Sequence, residues 1–226
     1  MIPFMIPIGK SERSRFTPPP SSLLDLGRAV RDLMVAMLQV PADDAVGRAT
    51  LEATCAHVRR GTEEIRKSGV LPQPDATCHP ARRPRYGFGA VVGSHNPAVP
   101  EPHVEHVDGT TRGTVTFDLP FEGPPGFVHG GFVALFFDQI LGQHNMAVDA
   151  NGMTGRLSVD YRQPTPLGRR LSFEVEGGRV NPRKTVTRGR LIDGDTVLAV
   201  AEGVFILPRD GMPTRVDGPP PSPPTP

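Results

Sequence analysis

Pro124-Pro125-Gly126-Phe127-Val128-His129-Gly130-Gly131-Phe132-Val133-Ala134-Leu135-Phe136-Phe137-Asp138-Gln139-Ile140-Leu141-Gly142 decides how the other residues of this 226-residue sequence are read. From Phe132 onward the stretch is apolar on every face, and a helix of that kind has to be wrapped by other structure. The sequence around it supplies the wrapper. Val115, Phe117 and Leu119 alternate with Thr114, Thr116 and Asp118; Leu157, Val159 and Tyr161 alternate with Ser158, Asp160 and Arg162; Leu171, Phe173 and Val175 alternate with Ser172, Glu174 and Glu176. Alternation of this kind predicts strands with one wet face. Val186–Ile192 and Thr196–Leu207 predict two more, joined by Asp193-Gly194-Asp195, whose Asp-Gly pair suits a tight hairpin turn. Short connections predict an antiparallel sheet, so the fold class is α+β, with one sheet curled around a long central helix.

Before this domain the period is helical. Pro18-Pro19-Pro20 is a stiff linker, and Leu23, Leu26, Val30, Leu33, Met34 and Met37 recur at helical spacing over about 22–39. A second helix is predicted over about 43–68, with Asp43 and Asp44 in its first turn, Arg66 and Lys67 in its last and Gly69 at its stop. The organisation expected is a flexible N-terminus (1–20), a helical extension (21–70), a connector (71–86), the sheet domain (87–207) and a proline-rich disordered tail (208–226).

Composition narrows the partners. Lys and Arg total 25 against 24 Asp and Glu, so no global field favours nucleic acid or a membrane surface. Pro (27) and Gly (25) make up nearly a quarter of the chain, about twice average usage, which fits one compact domain with appended segments. Cys55 and Cys78 are too few for a disulfide framework or a Cys-rich metal site. No run approaches the ~18 apolar residues of a membrane span, and a reducing, cytoplasmic setting is expected.

Two features suggest chemistry. Asp138 lies inside Phe136-Phe137-Asp138-Gln139-Ile140, where an ionised group costs several kcal/mol unless it is paired or meets water. Either it sits at an exposed helix edge or bonds Tyr161, Arg156 or Arg162, or it stands at a cavity as a general base or nucleophile. His129-Gly130-Gly131 sits at the expected helix start, where unpaired amides can hold an oxyanion; the alternative is a flexible hinge with His129 as a cap. From Gly131 to Asp138 is roughly 10 Å of helix rise, too far for both to touch one carbonyl, so a working site needs two chains.

The residues from about Glu101 to Leu207 resemble the PaaI-type hotdog thioesterases and the related thioesterase superfamily member proteins. The resemblance rests on the Pro-Gly-x-Val-His-Gly-Gly start, the Asp nine residues after the His, Met153–Gly168 with its Pro-Thr-Pro-Leu-Gly end, and Ala201-Glu202-Gly203-Val204-Phe205. It implies a hotdog fold working as a homodimer or dimer of dimers, with acyl-coenzyme A as substrate and neither metal nor cofactor. Carried over by position, the Gly131 N–H polarises the thioester carbonyl, and His129 and Gly130 shape that loop; beside this, Phe127, Phe132, Phe136 and Phe137 promise an apolar substrate pocket. Asp138 acts as general base or nucleophile, and Thr154 orients the water unless it is a strand-start threonine satisfied by backbone. Arg183 and Lys184 meet coenzyme A phosphates. The rivals are a hotdog acyl-coenzyme A sensor without turnover, and a hotdog hydratase or dehydratase. Gly87-x-Gly89-x-x-x-Gly93 is no dinucleotide loop, His103 and His106 point to opposite faces of an extended segment, and no Gly-x-Ser-x-Gly is present.

Overall fold

The computed structural model of the chain describes residues 21–41, 44–68 and 96–209. The expected N-terminal segment, the connector with Cys78, the start of the sheet domain and most of the proline-rich tail lie outside the described residues. The two helices of the extension are α1 (Ser21–Gln39) and α2 (Ala45–Lys67). Asp44 is the N-cap of α2 and accepts from the Gly47 N–H, which is why the helix starts there. The chain divides into two compact units, one holding most of α1 with residues 96–209 and the other holding α2.

In the first unit six strands form one antiparallel sheet: β1 (His103–Val107), β2 (Thr110–Thr116), β3 (Met153–Tyr161), β4 (Arg170–Asn181), β5 (Lys184–Asp193) and β6 (Thr196–Ile206). Their order is β1-β2-β4-β5-β6-β3, and α3 (Gly130–Ala147) lies between β2 and β3 in sequence and against the inner face in space. This is the hotdog arrangement. Phe117, Phe137, Phe173, Phe205, Leu141, Leu171 and Leu191 are fully buried between helix and sheet. Gly189 and Gly203 let the helix seat closely, because a Cβ at either would come within 3.1 Å of a Leu141 methyl. The outer face is wet and laced with cross-strand pairs such as Arg188–Glu202 and Arg190–Glu174.

Two expectations shift. The strand anticipated through Leu119 ends at Thr116, and Leu119–Phe121 is a 3-10 turn, since Pro120 has no N–H for a ladder. The central helix starts at Gly130 with His129 as its N-cap, where His129-Gly130-Gly131 predicts it. The β5–β6 hairpin places Asp193 opposite Thr196, so its two central residues are Gly194, at φ +58°, and Asp195. Glycine at the first central position carries the positive φ.

Candidate active site

The loop entering α3 is fixed by backbone: His129 N–H donates to Phe121 O, Val128 N–H to Thr165 O and Gly123 N–H to Phe127 O. His129 is then the N-cap, and its Nδ1 accepts the Gly131 N–H at 3.0 Å. An imidazole nitrogen that accepts is unprotonated, so in the neutral ring the proton sits on Nε2. Phe132 packs edge-on against Phe121 and His129, which orients that ring. From β3, Tyr161 Oη donates to Gly130 O at 2.7 Å. The peptide joining Gly130 to Gly131 is thus held at both ends, its carbonyl by Tyr161 and its N–H by His129. The Gly131 N–H expected to serve as oxyanion donor is already occupied. Gly130 N–H is the helix-start amide with no acceptor among the described residues.

At the other end of β3, Thr154 Oγ1 donates to Asp138 Oδ1 at 2.8 Å. Asp138 is half-buried on the flank of α3 facing β3, while its neighbours Phe136 and Phe137 enter the core. Of the alternatives for Asp138, Tyr161 goes to Gly130 O instead and Arg156 pairs with Glu202. A bulge makes the Thr154 contact possible. Thr154 pairs with Phe205 and Leu157 with Gly203, both inward, and the register skips at Gly155. In a regular strand, residues 154 and 157 face opposite ways. The extra residue turns both inward, the re-aiming of side chains that bulges provide.

Arg183 lies in the β4–β5 turn, where its Nε donates to Leu207 O, and Lys184 opens β5. Lys184 pairs with Ile206, which pairs with Met153, so this basic turn lies two strands, roughly 10 Å, from the start of β3. The structure therefore gathers Asp138, Thr154 and the basic turn at one end of the sheet, and His129, Gly130, Gly131, Phe132 and Tyr161 at the other. Gly130 and Asp138 of one chain are roughly 12 Å apart along the helix.

Sequence reasoning did not single out Tyr161 as a partner of the glycine loop. The polar groups late in α3, Gln143, His144 and Asn145, were visible in the sequence, but their partners were not. His144 is fully buried, with Nε2 on Gly177 O at 3.3 Å and Nδ1 on Thr111 Oγ1 at 3.0 Å, and Thr111 Oγ1 meets His106 Nδ1 at 2.7 Å. A carbonyl only accepts, so His144 Nε2 carries the proton. Thr111 then donates to His144 and accepts from His106. Burial lowers the pKa of His144, opposed by the Gly177 bond, with His106 also lowering and Glu176 raising it. Burial lowers that of His106 as well. The signal available was His144-Asn145 in an apolar helix opposite inward threonines at 111 and 187. His103 and His106 share no site, and no group of three His, Cys, Asp or Glu able to hold a metal occurs among the described residues.

A crystal structure of a thioesterase superfamily protein superposes with a TM-score of 0.69 at 30% identity, covering 84% of this chain and 98% of that one. The chain belongs to the thioesterase superfamily. The superfamily's sequence model matches residues 125–200, from the glycine loop into the first half of β6. Acyl-coenzyme A thioesterase THEM4 of Xenopus laevis is 38% identical over 86 residues, 38% of this chain and 39% of that protein. The match thus spans well under half the length of that relative. The superposed thioesterase superfamily structure covers more of this chain than residues 96–209 contain, so its likeness reaches into the N-terminal extension. No helix among the described residues is long and apolar enough to cross a membrane.

Proposed function

We propose that this chain hydrolyses acyl-coenzyme A thioesters at sites shared between two copies. The observation that carries the reading is that β3, an edge strand, touches both halves of the catalytic set: Thr154 holds Asp138 at its start and Tyr161 holds Gly130 at its end. An unpaired strand edge is a template for another strand. Two β3 edges paired antiparallel about an axis between Leu157 and Ser158 bring the Asp138 end of one protomer beside the Gly130 end of the other, twice. The distance within one chain is then immaterial.

In such a site the thioester oxygen sits on the Gly130 N–H of one protomer. Asp138 of the other, held by the Thr154 hydroxyl, takes a proton from water. The water oxygen bonds to the carbonyl carbon, the electron pair moves to the oxyanion held by the amide, and its return expels the thiolate as the C–S bond breaks. The proton on Asp138 passes to sulfur. If Asp138 instead attacks directly, the intermediate is an anhydride that water opens. The similarity to a protein named as an acyl-coenzyme A thioesterase supports this substrate class. The basic turn at Arg183 and Lys184, at the Asp138 end of the sheet, suits the coenzyme A phosphates.

Gly130→Pro is an informative probe. Gly130 is the first helical residue and His129 is extended (φ −62°, ψ 130°), so proline suits the position and removes the N–H in question, while its Cβ would lie in van der Waals contact, 3.4 Å, with the Tyr161 ring. Turnover should fall by about 10²–10³, the scale of losing one oxyanion donor. Asp138→Ala should be as inactive. Mixing the two variants at equal amounts with subunit exchange makes half the dimers mixed, each with one intact site of two, so about a quarter of wild-type activity should return. A mixture that exchanges but stays inactive refutes shared sites. Thiol release by Gly130→Pro at the wild-type rate removes that amide from the mechanism.

A further inference from the structure

The carbonyl that Tyr161 holds belongs to the residue whose N–H is the candidate oxyanion donor. That N–H is carried by the peptide running from His129 to Gly130, and the peptides on either side of it are pinned. Before it, His129 N–H donates to Phe121 O at 2.9 Å. After it, the Gly130–Gly131 peptide has its carbonyl on Tyr161 Oη at 2.7 Å and its N–H on His129 Nδ1 at 3.0 Å. Peptide units are planar, so fixing both neighbouring planes fixes the one between them and sets the direction of the Gly130 N–H. The oxygen of that middle peptide, His129 O, accepts Phe132 N–H at 2.9 Å and Val133 N–H at 3.4 Å. Hydrogen bonds at its oxygen polarise the amide and make its N–H a stronger donor.

Of these holds, Tyr161 is the one that comes from the sheet. Its backbone is anchored: it pairs with Ala199 of β6, and the next two residues, Arg162 and Gln163, both donate their N–H to Leu198 O. Its ring reaches the helix start, where a Cβ on Gly130 would lie 3.4 Å away. Two successive glycines have no Cβ to restrict their backbone, so a helix that opens on Gly130-Gly131 needs an outside hold to keep its first amides in one direction. Packing is a minor part of what this tyrosine does, because the residue is 53% exposed while its hydroxyl is bonded. We propose that the Tyr161 hydroxyl is a positioning group for the reaction, acting through the Gly130 carbonyl to aim the Gly130 N–H at the developing oxyanion. This rests on the thioesterase reading and adds to it a residue that touches no reacting atom.

The test is Tyr161→Phe in the full chain, which removes the hydroxyl and keeps the ring. With acyl-coenzyme A substrates, kcat of the folded protein should fall about tenfold, less than the loss of the amide itself, since the donor stays and only its aim is loosened. KM should hold close to wild type, as should affinity for a non-hydrolysable S-alkyl-coenzyme A ether, which has no carbonyl for the amide to hold. The order parameter of the Gly130 amide, from nitrogen-15 relaxation, should drop from about 0.85 to below about 0.6, with Val128 unmoved. A hydroxyl that serves only the fold would lower the melting temperature and leave kcat and the Gly130 order parameter of the folded protein at wild-type values; that result overturns the proposal. A loss confined to KM and ether binding also overturns it, by making Tyr161 a substrate contact. If wild type cleaves no thioester, the hydrolytic reading fails and the amide decides the rest: a Gly130 loosened by Tyr161→Phe keeps the hold as stated, and one that stays rigid removes it.

Discussion

Helix α3 carries polar side chains at two places, and they differ in one respect. At Asp138 the carboxylate is half-buried with one hydrogen-bond donor on it, from Thr154. At His144, two turns on, the side chain is buried and bonded at both nitrogens; the neighbouring Asn145 is also buried, its Oδ1 accepting from Thr187 and its Nδ2 without a partner among the described residues. A carboxylate has room for about four hydrogen bonds. Asp138 keeps capacity for water or substrate, whereas His144 has none left. Both places interrupt an apolar helix in sequence, and what separates them is how far the fold has saturated the group.

The largest effect expected from this contrast is on activity. Asp138→Asn keeps the size and the Thr154 contact but removes the base, so turnover should fall at least ~100-fold with thermal stability nearly unchanged. A variant that keeps its activity would place Asp138 with the structural groups. At the closed station the same exercise should invert. Asn145→Leu leaves the buried Thr187 hydroxyl without its acceptor and should cost about 2 kcal/mol of unfolding free energy, read by denaturant titration, with the catalytic constants of the folded fraction retained. Thr154→Val tests the one hydrogen bond that reaches the Asp138 carboxylate among the described residues. It should lower kcat about tenfold and leave KM and stability close to wild type, because the hydroxyl is exposed and orients rather than reacts. A loss in KM alone would make Thr154 a binding residue.

The same contrast explains how far the sequence could be read. Period-two alternation at Leu157, Val159 and Tyr161, and at Leu171, Phe173 and Val175, marks strands because each has one wet face, and these strands are where expected. The all-apolar run after Phe132 dictates a wrapped helix. Burial patterns are local and survive in sequence. Hydrogen-bond saturation is not local. Whether the Gly131 N–H is free depends on the rotamer of His129, and whether Thr154 faces Asp138 depends on a bulge at Gly155 that alternation does not announce. The strand at His103–Val107 carries too little inward apolar pattern to be read as one, with a single half-buried valine among exposed residues. The bonds from Arg28 and Arg31 of α1 to Glu101 join residues some 70 apart, and no spacing rule reports them.

The smallest effect expected separates the two stations by proton uptake. Burial holds the His144 pKa below the ordinary histidine value, so the folded chain binds a proton on this ring less readily than the unfolded chain does. The stability supported by the neutral ring is then fully present above about 6.5 and is lost as the pH falls from there through the depressed folded value. His144→Gln removes the titration together with the bonds to Thr111 and Gly177. It should be less stable than wild type at pH 8, and the gap should narrow as the pH drops toward 5, because only wild type gives up the His144 contribution. His106, also depressed by burial, remains in both proteins and contributes slope to each. The comparison therefore rests on the difference between them, measured as unfolding free energy at each pH. A gap that stays constant from pH 8 to pH 5 would mean that the ring at 144 does not titrate differently on unfolding, and the closed station would owe its stability to shape rather than to a neutral histidine.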